Sequence, residues 1–292
     1  MLLRSLLFMP GDSEKILGKA EKVKTDAVIF DLEDAVSLDN KEQARGLVAD
    51  KLISLDSAAS LIKKYFVRVN AFNTGLLEED LSAVISDKLT GIMLPKIEEA
   101  ADLQKADHLL KELEEKNGIA AGSLGIILLF ESARGILDAP GIISASDRVL
   151  AAALGGEDLS LDLNAVRTRE GQELFYSRSR LVLAASAAKT PALDTVFTDF
   201  RDSEGLEQDT RTARKLGFAG KLAIHPDQLE IINQIFTPEK EEIEFARQVV
   251  EAQRQAEQQG RAVYEVNGKM IDPPVVERAR KLLKNVEEME DY

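Results

Sequence analysis

The chain has 292 residues, 45% of them hydrophobic, and its 37 basic against 51 acidic side chains give a formal net charge of −14. This acidity disfavours binding to nucleic acids and to anionic lipid surfaces, and no Lys/Arg-rich block offsets it locally. The absence of cysteine excludes disulfides, thiolate metal ligands and cysteine nucleophiles.

The first apolar stretch, residues 6–9, ends at Pro10 and is too short for a signal peptide or a membrane span. We therefore expect a cytoplasmic protein that binds no membrane.

Along the rest of the chain, short apolar runs alternate with longer segments of helical spacing. The predicted strands are residues 3–9, 27–31, 65–70, 91–95, 125–130, 148–154, 193–198 and 221–224. The predicted helices begin near Ser13, Asp39, Leu76, Glu98, Ser132, Glu170, Glu204 and Pro226.

Several strands are apolar throughout, such as VLAAAL at residues 149–154, which is typical of a parallel sheet covered on both faces. Eight pairs of a strand and a following helix match the roughly 250 residues expected for a (β/α)8 TIM barrel, which is an α/β fold. A doubly wound open sheet is the alternative, but it should carry a glycine-rich dinucleotide motif after its first strand. The segment MPGDS at residues 9–13 is no such motif. We therefore predict the barrel.

The C-terminal part of the chain lies beyond the eighth unit. A charged helix is predicted over residues 238–259, and another helix begins at Pro273. Between them, Asn267 and Gly268 separate two short apolar runs, which indicates a tight β-hairpin. We predict a barrel over residues 1–237 and a C-terminal extension over residues 238–292.

Charged residues follow six of the eight predicted strands, at the end of a barrel where catalytic groups lie. They include Asp31, Glu33, Asp34, Arg68, Lys96, Glu131, Glu157, Asp158 and Asp199. Clustered carboxylates favour Mg²⁺, or Mn²⁺, over zinc. We predict Glu131 and Asp158 as metal ligands, with Gly155 and Gly156 permitting close approach of the backbone. Taken singly, each acid could instead cap a helix.

The basic residues allow two interpretations each. Arg68 lies on an apolar strand and needs an anionic partner, which could be Asp31 or Glu33, or a substrate carboxylate. Arg4, Lys15, Lys19 and Lys22 could attract a phosphorylated ligand near the first helix, or could form a solvated face. Of the two histidines, His108 is expected at the surface, and His225 could carry protons or bond to the backbone of its loop.

Eight motifs resemble one known family in their order along the chain. They are RSLLFMPGDSEKILGKA, FDLEDAV, VRVN, MLPK, FESARG, GGEDL, GKLAIHP and NGKMIDPP, and they run from Arg4 to about Pro274. The sequence resembles the citrate lyase β-subunit-like (HpcH/HpaI aldolase/citrate lyase) family of CoA-ester lyases, and is similar to malyl-CoA and citramalyl-CoA lyases. The resemblance implies a (β/α)8 barrel that assembles as a trimer or hexamer and binds Mg²⁺.

The resemblance also implies roles for matching residues. Glu131 and Asp158 correspond to the metal ligands, Arg68 to the residue that binds the 2-oxoacid carboxylate, and Glu33 and Asp34 to pocket positions that hold metal-bound waters. The family places basic residues near the CoA phosphates, here Lys19 and also Arg4 or Lys15. Asp272 of the MID motif would act as acid/base from a neighbouring subunit's lid, and its alternative role is to cap the helix before Pro273 and Pro274.

The implied function is Mg²⁺-dependent retro-Claisen cleavage of a 3-hydroxyacyl-CoA, of the citramalyl-CoA or malyl-CoA type, into a 2-oxoacid and acetyl-CoA. No redox cofactor is needed. One alternative is a citrate lyase β subunit that acts on citryl-acyl-carrier protein, because GQELFYSR at residues 171–178 is similar to the complex-forming branch. Another is a non-catalytic metal- or CoA-binding regulatory subunit.

Overall fold

The eight strands of the barrel occupy nearly the positions that the apolar runs predict. The computed structural model describes residues 1–56, 63–258 and 264–290. The strands are β1 (Ser5–Pro10), β2 (Ala27–Asp31), β3 (Lys64–Arg68), β4 (Gly91–Leu94), β5 (Gly125–Phe130), β6 (Val149–Leu154), β7 (Ala192–Asp194) and β8 (Gly220–Ala223). Neighbouring strands are parallel, and the barrel closes where Leu6 of β1 pairs with Leu222 of β8. The prediction of a (β/α)8 barrel is confirmed.

Helices follow the strands as the alternating pattern predicts. They are α1 (Glu14–Leu17), α2 (Lys41–Ser54), α3 (Leu77–Val84), α4 (Ala100–Lys116), α5 (Ala133–Ile143), α6 (Gly156–Asp162), α7 (Phe175–Ala187), α8 (Ser203–Leu216) and α9 (Leu229–Phe236). Two of these helices have side-chain caps, since Ser132, near which a helix start is predicted, accepts a hydrogen bond from the Gly135 N–H and Asp202 accepts one from the Gly205 N–H.

Two apolar layers account for the uninterrupted hydrophobic runs. Alternate strand residues, such as Ile29 and Phe66, fill the barrel interior, while their neighbours, such as Phe30 and Val67, pack under the surrounding helices. All four side chains are fully buried. Because both faces of each strand are covered, the usual apolar–polar alternation is missing.

Two differences between the structure and the predicted elements affect the carboxyl ends of β6 and β7. The seventh strand ends at Asp194 instead of residue 198, because the carbonyl of Thr195 accepts Lys221 Nζ and that of Phe197 accepts Gln228 Nε2. The second difference is the short helix α6, which begins directly after β6 where the sequence predicts a loop.

A second compact unit comprises residues 1–2 and the chain from Thr237 onward, whereas the barrel unit spans residues 3–236. It contains α10 (Lys240–Gln258), β9 (Tyr264–Val266), β10 (Lys269–Ile271) and α11 (Pro273–Glu290). β9 and β10 are antiparallel, and the left-handed backbone of Asn267 and Gly268, with φ of 51° and 76°, confirms the predicted hairpin turn. Within the described ranges, no helix has both the length and the apolar character needed to cross a membrane.

Candidate functional site at the carboxyl ends of the strands

A cavity of about 390 Å³ opens at the carboxyl ends of the barrel strands. Its walls combine apolar side chains with several of the charged residues predicted from the sequence. The residues that line it include Phe8, Pro10, Asp31, Asp34, Arg68, Leu129, Glu131, Glu157, Asp158, Thr195 and Ile224. In barrels of this type, this end carries the catalytic groups.

Arg68 is held at the cavity wall by Asp31 of the neighbouring strand. Its Nε donates to Asp31 Oδ1 over 2.7 Å and its Nη2 donates to Asp31 Oδ2 over 2.5 Å. Burial alone lowers the pKa of Arg68, but the hydrogen bonds and charge of Asp31 outweigh that effect and raise it. The guanidinium also lies 4.8 Å from the centre of the Phe8 ring. Of the two interpretations of Arg68, the structural ion pair is present, and the Nη1 side still faces other acids.

The loop after β2 brings two more carboxylates to the same guanidinium. Asp31 accepts the N–H of Glu33, and the ammonium of Lys41 binds the Leu32 and Glu33 carbonyls, so the loop folds over the end of the barrel. Glu33 Oε2 then lies 3.0 Å from Arg68 Nη1, and its Oε1 accepts Lys96 Nζ over 2.8 Å. Burial raises the pKa of Glu33 although both cations act to lower it.

Glu131 lies directly after β5 and is only 3% exposed. Burial, a hydrogen bond with the carboxyl group of Asp158 and the charges of Glu33 and Asp158 raise the pKa of Glu131 to about 9. The Lys96 N–H also reaches Glu131 Oε1 over 3.2 Å. Gly155 lies close beside it, since a Cβ at that position would lie 3.0 Å from Glu131 Cγ, which is tighter than an ordinary contact. The elements that follow β5 and β6 therefore bring these two acids together, as the sequence predicts.

The donor set of this site fits a hard divalent cation. Asp31, Glu33, Asp34, Glu131 and Asp158 supply five carboxyl groups against the two cations Arg68 and Lys96. Asp31, Glu33 and Asp34 are already paired with Arg68 or Lys96, which leaves Glu131 and Asp158. Within the part of the chain that the structure describes, no cluster of three or more His, Cys, Asp or Glu side chains is placed to hold a metal. Mg²⁺ commonly takes only one or two protein carboxylates and completes its shell with water and substrate.

The other basic residues predicted to bind a phosphorylated ligand do not all lie at this end. Lys15 and Lys19 follow β1 and are exposed, and neither is among the residues that line the cavity. Arg4 precedes β1, at the opposite end, and its Nη2 forms an ion pair with Asp26 over 2.8 Å. The cavity therefore does not include Arg4, since a residue at the amino end of a strand lies a whole strand length from the rim.

The remaining candidates have local structural partners. His225 Nδ1 accepts the Asp227 N–H over 3.3 Å, and its ring stacks on Phe200, which is the loop role considered from the sequence. His108 is exposed beside Glu112. In the second unit, Asp272 Oδ1 accepts the Val275 N–H over 3.2 Å, so its capping role is present.

The sequence predicts neither the contact of Thr195 nor the helix α6 that it contacts. The Thr195 hydroxyl accepts the N–H of Gly156, the first residue of α6, over 2.8 Å. A threonine inside an apolar run carries no local indication of this contact. The glycine pair before Asp158 was the only sequence feature that pointed to a close approach here.

Comparison with known proteins gives one family and several full-length relatives. The model of the HpcH/HpaI aldolase/citrate lyase family matches residues 4–226. The chain is 38% identical to a citrate lyase subunit beta of Leuconostoc mesenteroides subsp. cremoris over 97% of this chain and 93% of the relative. It is 30% identical to a mitochondrial citramalyl-CoA lyase of Rattus norvegicus, over 96% of this chain and 85% of the relative.

A solved structure of a similar protein shows bound ligands. CitE of Mycobacterium tuberculosis, in complex with magnesium, acetoacetate and coenzyme A, is 32% identical to this chain. The two structures align with a TM-score of 0.78 over 97% of each chain. The similarity therefore extends beyond the barrel to nearly the whole length of the chain.

Proposed function

The chain belongs to the HpcH/HpaI aldolase/citrate lyase family and is a carbon–carbon lyase, and we propose that it cleaves a 3-hydroxyacyl-CoA in a Mg²⁺-dependent retro-Claisen reaction. The substrate would be of the citramalyl-CoA or malyl-CoA type. The products would be a 2-oxoacid, pyruvate or glyoxylate, and acetyl-CoA.

The observation that carries this proposal is the pairing of Glu131 with Asp158 in the cavity that Arg68 also lines. Burial, the hydrogen bond with Asp158 and the charges of neighbouring acids raise the pKa of Glu131 to about 9, and a cation bound between the two carboxyl groups would stabilise their charged forms. We assign Mg²⁺, or Mn²⁺ in its place, to these two ligands. The bound ion would polarise the hydroxyl and carboxylate oxygens of the substrate. The CitE complex with magnesium and coenzyme A supports this assignment.

Arg68 has a second donor edge that suits the carboxylate of a 2-oxoacid. A guanidinium carries five N–H donors, and Asp31 occupies only those of Nε and one of Nη2. The Nη1 edge faces Glu33 and Asp34, whose contacts are at 3.0 and 3.4 Å. Asp31 thus holds the guanidinium in place, and a substrate carboxylate would bind the remaining N–H groups of Nη1 and Nη2 as a bidentate partner, in competition with Glu33 and Asp34.

Proton transfers require two further groups. We assign removal of the hydroxyl proton to Asp34, whose side chain is 53% exposed at the rim. Glu33 and Asp34 together are proposed to position metal-bound water. The departing thioester enolate needs an acid, and Asp272 of a neighbouring subunit is the proposed donor. This role requires a homo-oligomer, of which a trimer or hexamer is proposed. Lys15 and Lys19 are proposed to face the CoA phosphates.

A second candidate function is that of a citrate lyase β subunit acting on a citryl thioester of an acyl-carrier protein. It is favoured by the relatives of that name, which are 36–39% identical to the chain and of nearly the same length. The chemistry at the metal would be the same. Only the group that carries the acyl thioester, and hence the partner, would differ.

Release of a 2-oxoacid, trapped as its phenylhydrazone, distinguishes the candidates. The protein is incubated with citramalyl-CoA, malyl-CoA, citryl-CoA or a citryl-acyl-carrier protein, with Mg²⁺ or with a chelator. We expect metal-dependent release from citramalyl-CoA or malyl-CoA, with no release in chelator. Cleavage of a citryl-acyl-carrier protein alone would identify the citrate lyase subunit. Failure to cleave any of these thioesters would favour a non-catalytic binding subunit.

The substitution Asp272→Asn separates the proposed acid/base role from helix capping. Asparagine caps a helix about as well as aspartate does, so the contact to the Val275 N–H is retained. Loss of a general acid lowers turnover by about 10²- to 10⁴-fold. We expect a fall of that size with unchanged Mn²⁺ affinity. Glu277→Gln, an exposed acid on the same helix, is the matched control. Normal turnover in Asp272→Asn would leave this residue with its capping role alone.

A further inference from the structure

Helix α6 carries Asp158 but has no cap of its own. Its N-cap residue is Gly155, which has no side chain to accept the first N–H groups. The hydroxyl of Thr195, from the segment that follows β7, supplies the missing acceptor for the Gly156 N–H. Thr195 is 1% exposed, and a Cβ added at Gly156 would lie 2.7 Å from its Oγ1. The cap therefore comes from another strand and fits closely.

The carbonyl of Thr195 is itself held by a buried cation. It accepts Lys221 Nζ over 2.6 Å, and the same ammonium donates to Asp194 and Asp209, each over 2.6 Å. Arg178 also binds both carboxylates, at 2.7 and 2.6 Å. These two cations and two anions balance one another inside the protein. Because these four charged side chains satisfy one another, they need no external ligand, and they hold in place the segment that carries Thr195.

The other end of α6 is tied to the segment that follows Glu131. Asp162, the last residue of the helix, accepts the N–H of Ala133 through Oδ2 over 2.6 Å. The seven-residue helix is therefore attached to the end of β7 at one end and to the start of α5 at the other. Asp158 lies between these attachments, two residues after Gly156.

We propose that Thr195 is a positioning residue for the metal ligand Asp158. Its hydroxyl holds the start of α6 so that the carboxylate of Asp158 stays beside Glu131. The inference rests on the proposed function, because it requires Asp158 to bind the metal. A short helix with an unpaired first N–H can shift, and metal ligands must be held within roughly 0.5 Å of their productive positions.

The test compares Thr195→Val with Thr195→Ser. Valine keeps the shape of threonine but cannot accept the Gly156 N–H, whereas serine keeps the hydroxyl. Mn²⁺ binding to the metal-free full-length protein is measured by electron paramagnetic resonance, and kcat and the activation constant for Mg²⁺ are measured separately. Loss of a direct hydrogen-bond partner of a metal ligand weakens binding by about 10- to 100-fold. Thr195 acts on Asp158 less directly, through the Gly156 N–H, so the lower end of that range is the expected loss. We expect that loss in Thr195→Val and near wild-type affinity in Thr195→Ser.

Thr210→Val provides the matched control. Thr210 is fully buried and its hydroxyl donates to the Leu206 carbonyl within α8, so the substitution removes a comparable hydrogen bond elsewhere. Its Mn²⁺ affinity should equal that of the wild type. If Thr195→Val does not fold, Gly156→Ala tests the same contact from the other side, because its Cβ would lie 2.7 Å from the Thr195 hydroxyl as well as 2.8 Å from Leu174 Cδ1.

Three results would overturn the positioning role. They are a folded Thr195→Val with wild-type Mn²⁺ affinity, an equal loss in Thr195→Ser, or, should the valine variant not fold, a wild-type affinity in Gly156→Ala. Each leaves the proposed function intact as long as Asp158→Asn abolishes Mn²⁺ binding. If Asp158→Asn itself binds Mn²⁺ normally, the assignment of the metal to Asp158 is wrong. That result is distinguishable from a failure of the positioning role of Thr195 alone.

Discussion

Asp158→Asn should reduce turnover by about three orders of magnitude, because the metal supplies several kcal/mol of transition-state stabilisation and every 1.36 kcal/mol corresponds to a tenfold change in rate. Asparagine has nearly the shape of aspartate but no negative charge. The substitution leaves Glu131 as the one charged ligand of the pair, so Mn²⁺ affinity should fall in parallel. The measurements are 2-oxoacid release and direct Mn²⁺ titration.

The control for this experiment is Asp138→Asn, which removes one carboxylate charge from an exposed position on α5. Its Mn²⁺ affinity and turnover should match those of the wild type. This comparison separates loss of a ligand from the general change in net charge. Wild-type turnover in Asp158→Asn would show that the metal assignment is wrong.

Arg68→Lys should weaken the binding of glyoxylate and pyruvate by about 10- to 100-fold. Hydrogen bonds to charged groups contribute roughly 1.5–3 kcal/mol, and 1.4 kcal/mol corresponds to a factor of ten. Lysine keeps the positive charge beside Asp31 but cannot hold Asp31 on one edge and a carboxylate on the other. The dissociation constants are measured by titration calorimetry in the presence of Mg²⁺.

The lysine variant tests carboxylate binding by Arg68 more specifically than an alanine variant does. Arg68→Ala should also weaken 2-oxoacid binding, but it leaves the 1% exposed Asp31 without its partner. Such a loss lowers the free energy of unfolding by about 3–5 kcal/mol. Arg134→Lys is the control, since Arg134 forms an exposed ion pair with Glu99 over 2.6 Å. Unchanged glyoxylate affinity in Arg68→Lys would limit Arg68 to its ion pair with Asp31.

The order of secondary structure along this chain could be predicted because it depends on local patterns. Uninterrupted apolar runs predicted the parallel strands, and Asn267 with Gly268 predicted a turn that needs two residues with positive φ. The prediction that Glu131 and Asp158 come close together also followed from topology alone. Residues that follow neighbouring parallel strands must meet at the same end of a barrel.

Contacts between distant residues could not be predicted in this way. Arg68 and Asp31 are 37 positions apart, and Gly156 and Thr195 are 39 apart. The sequence left open whether Arg68 pairs with Asp31 or Glu33 or binds a substrate carboxylate, and it indicated no role for Thr195 or Lys221. The position of Arg4 at the opposite end of the barrel also required the exact start of β1 at Ser5.

The amino-acid sequence by itself determined the barrel, the hairpin and the end of the barrel at which the acids lie. The spacing of apolar residues and the succession of strands along the chain are local properties of the sequence. The tertiary structure alone decided which charges neutralise one another and which carboxyl groups remain for a cation. Hydrogen bonds and ion pairs depend on distances of about 3 Å between side chains, and such distances are set only when the strands pack together.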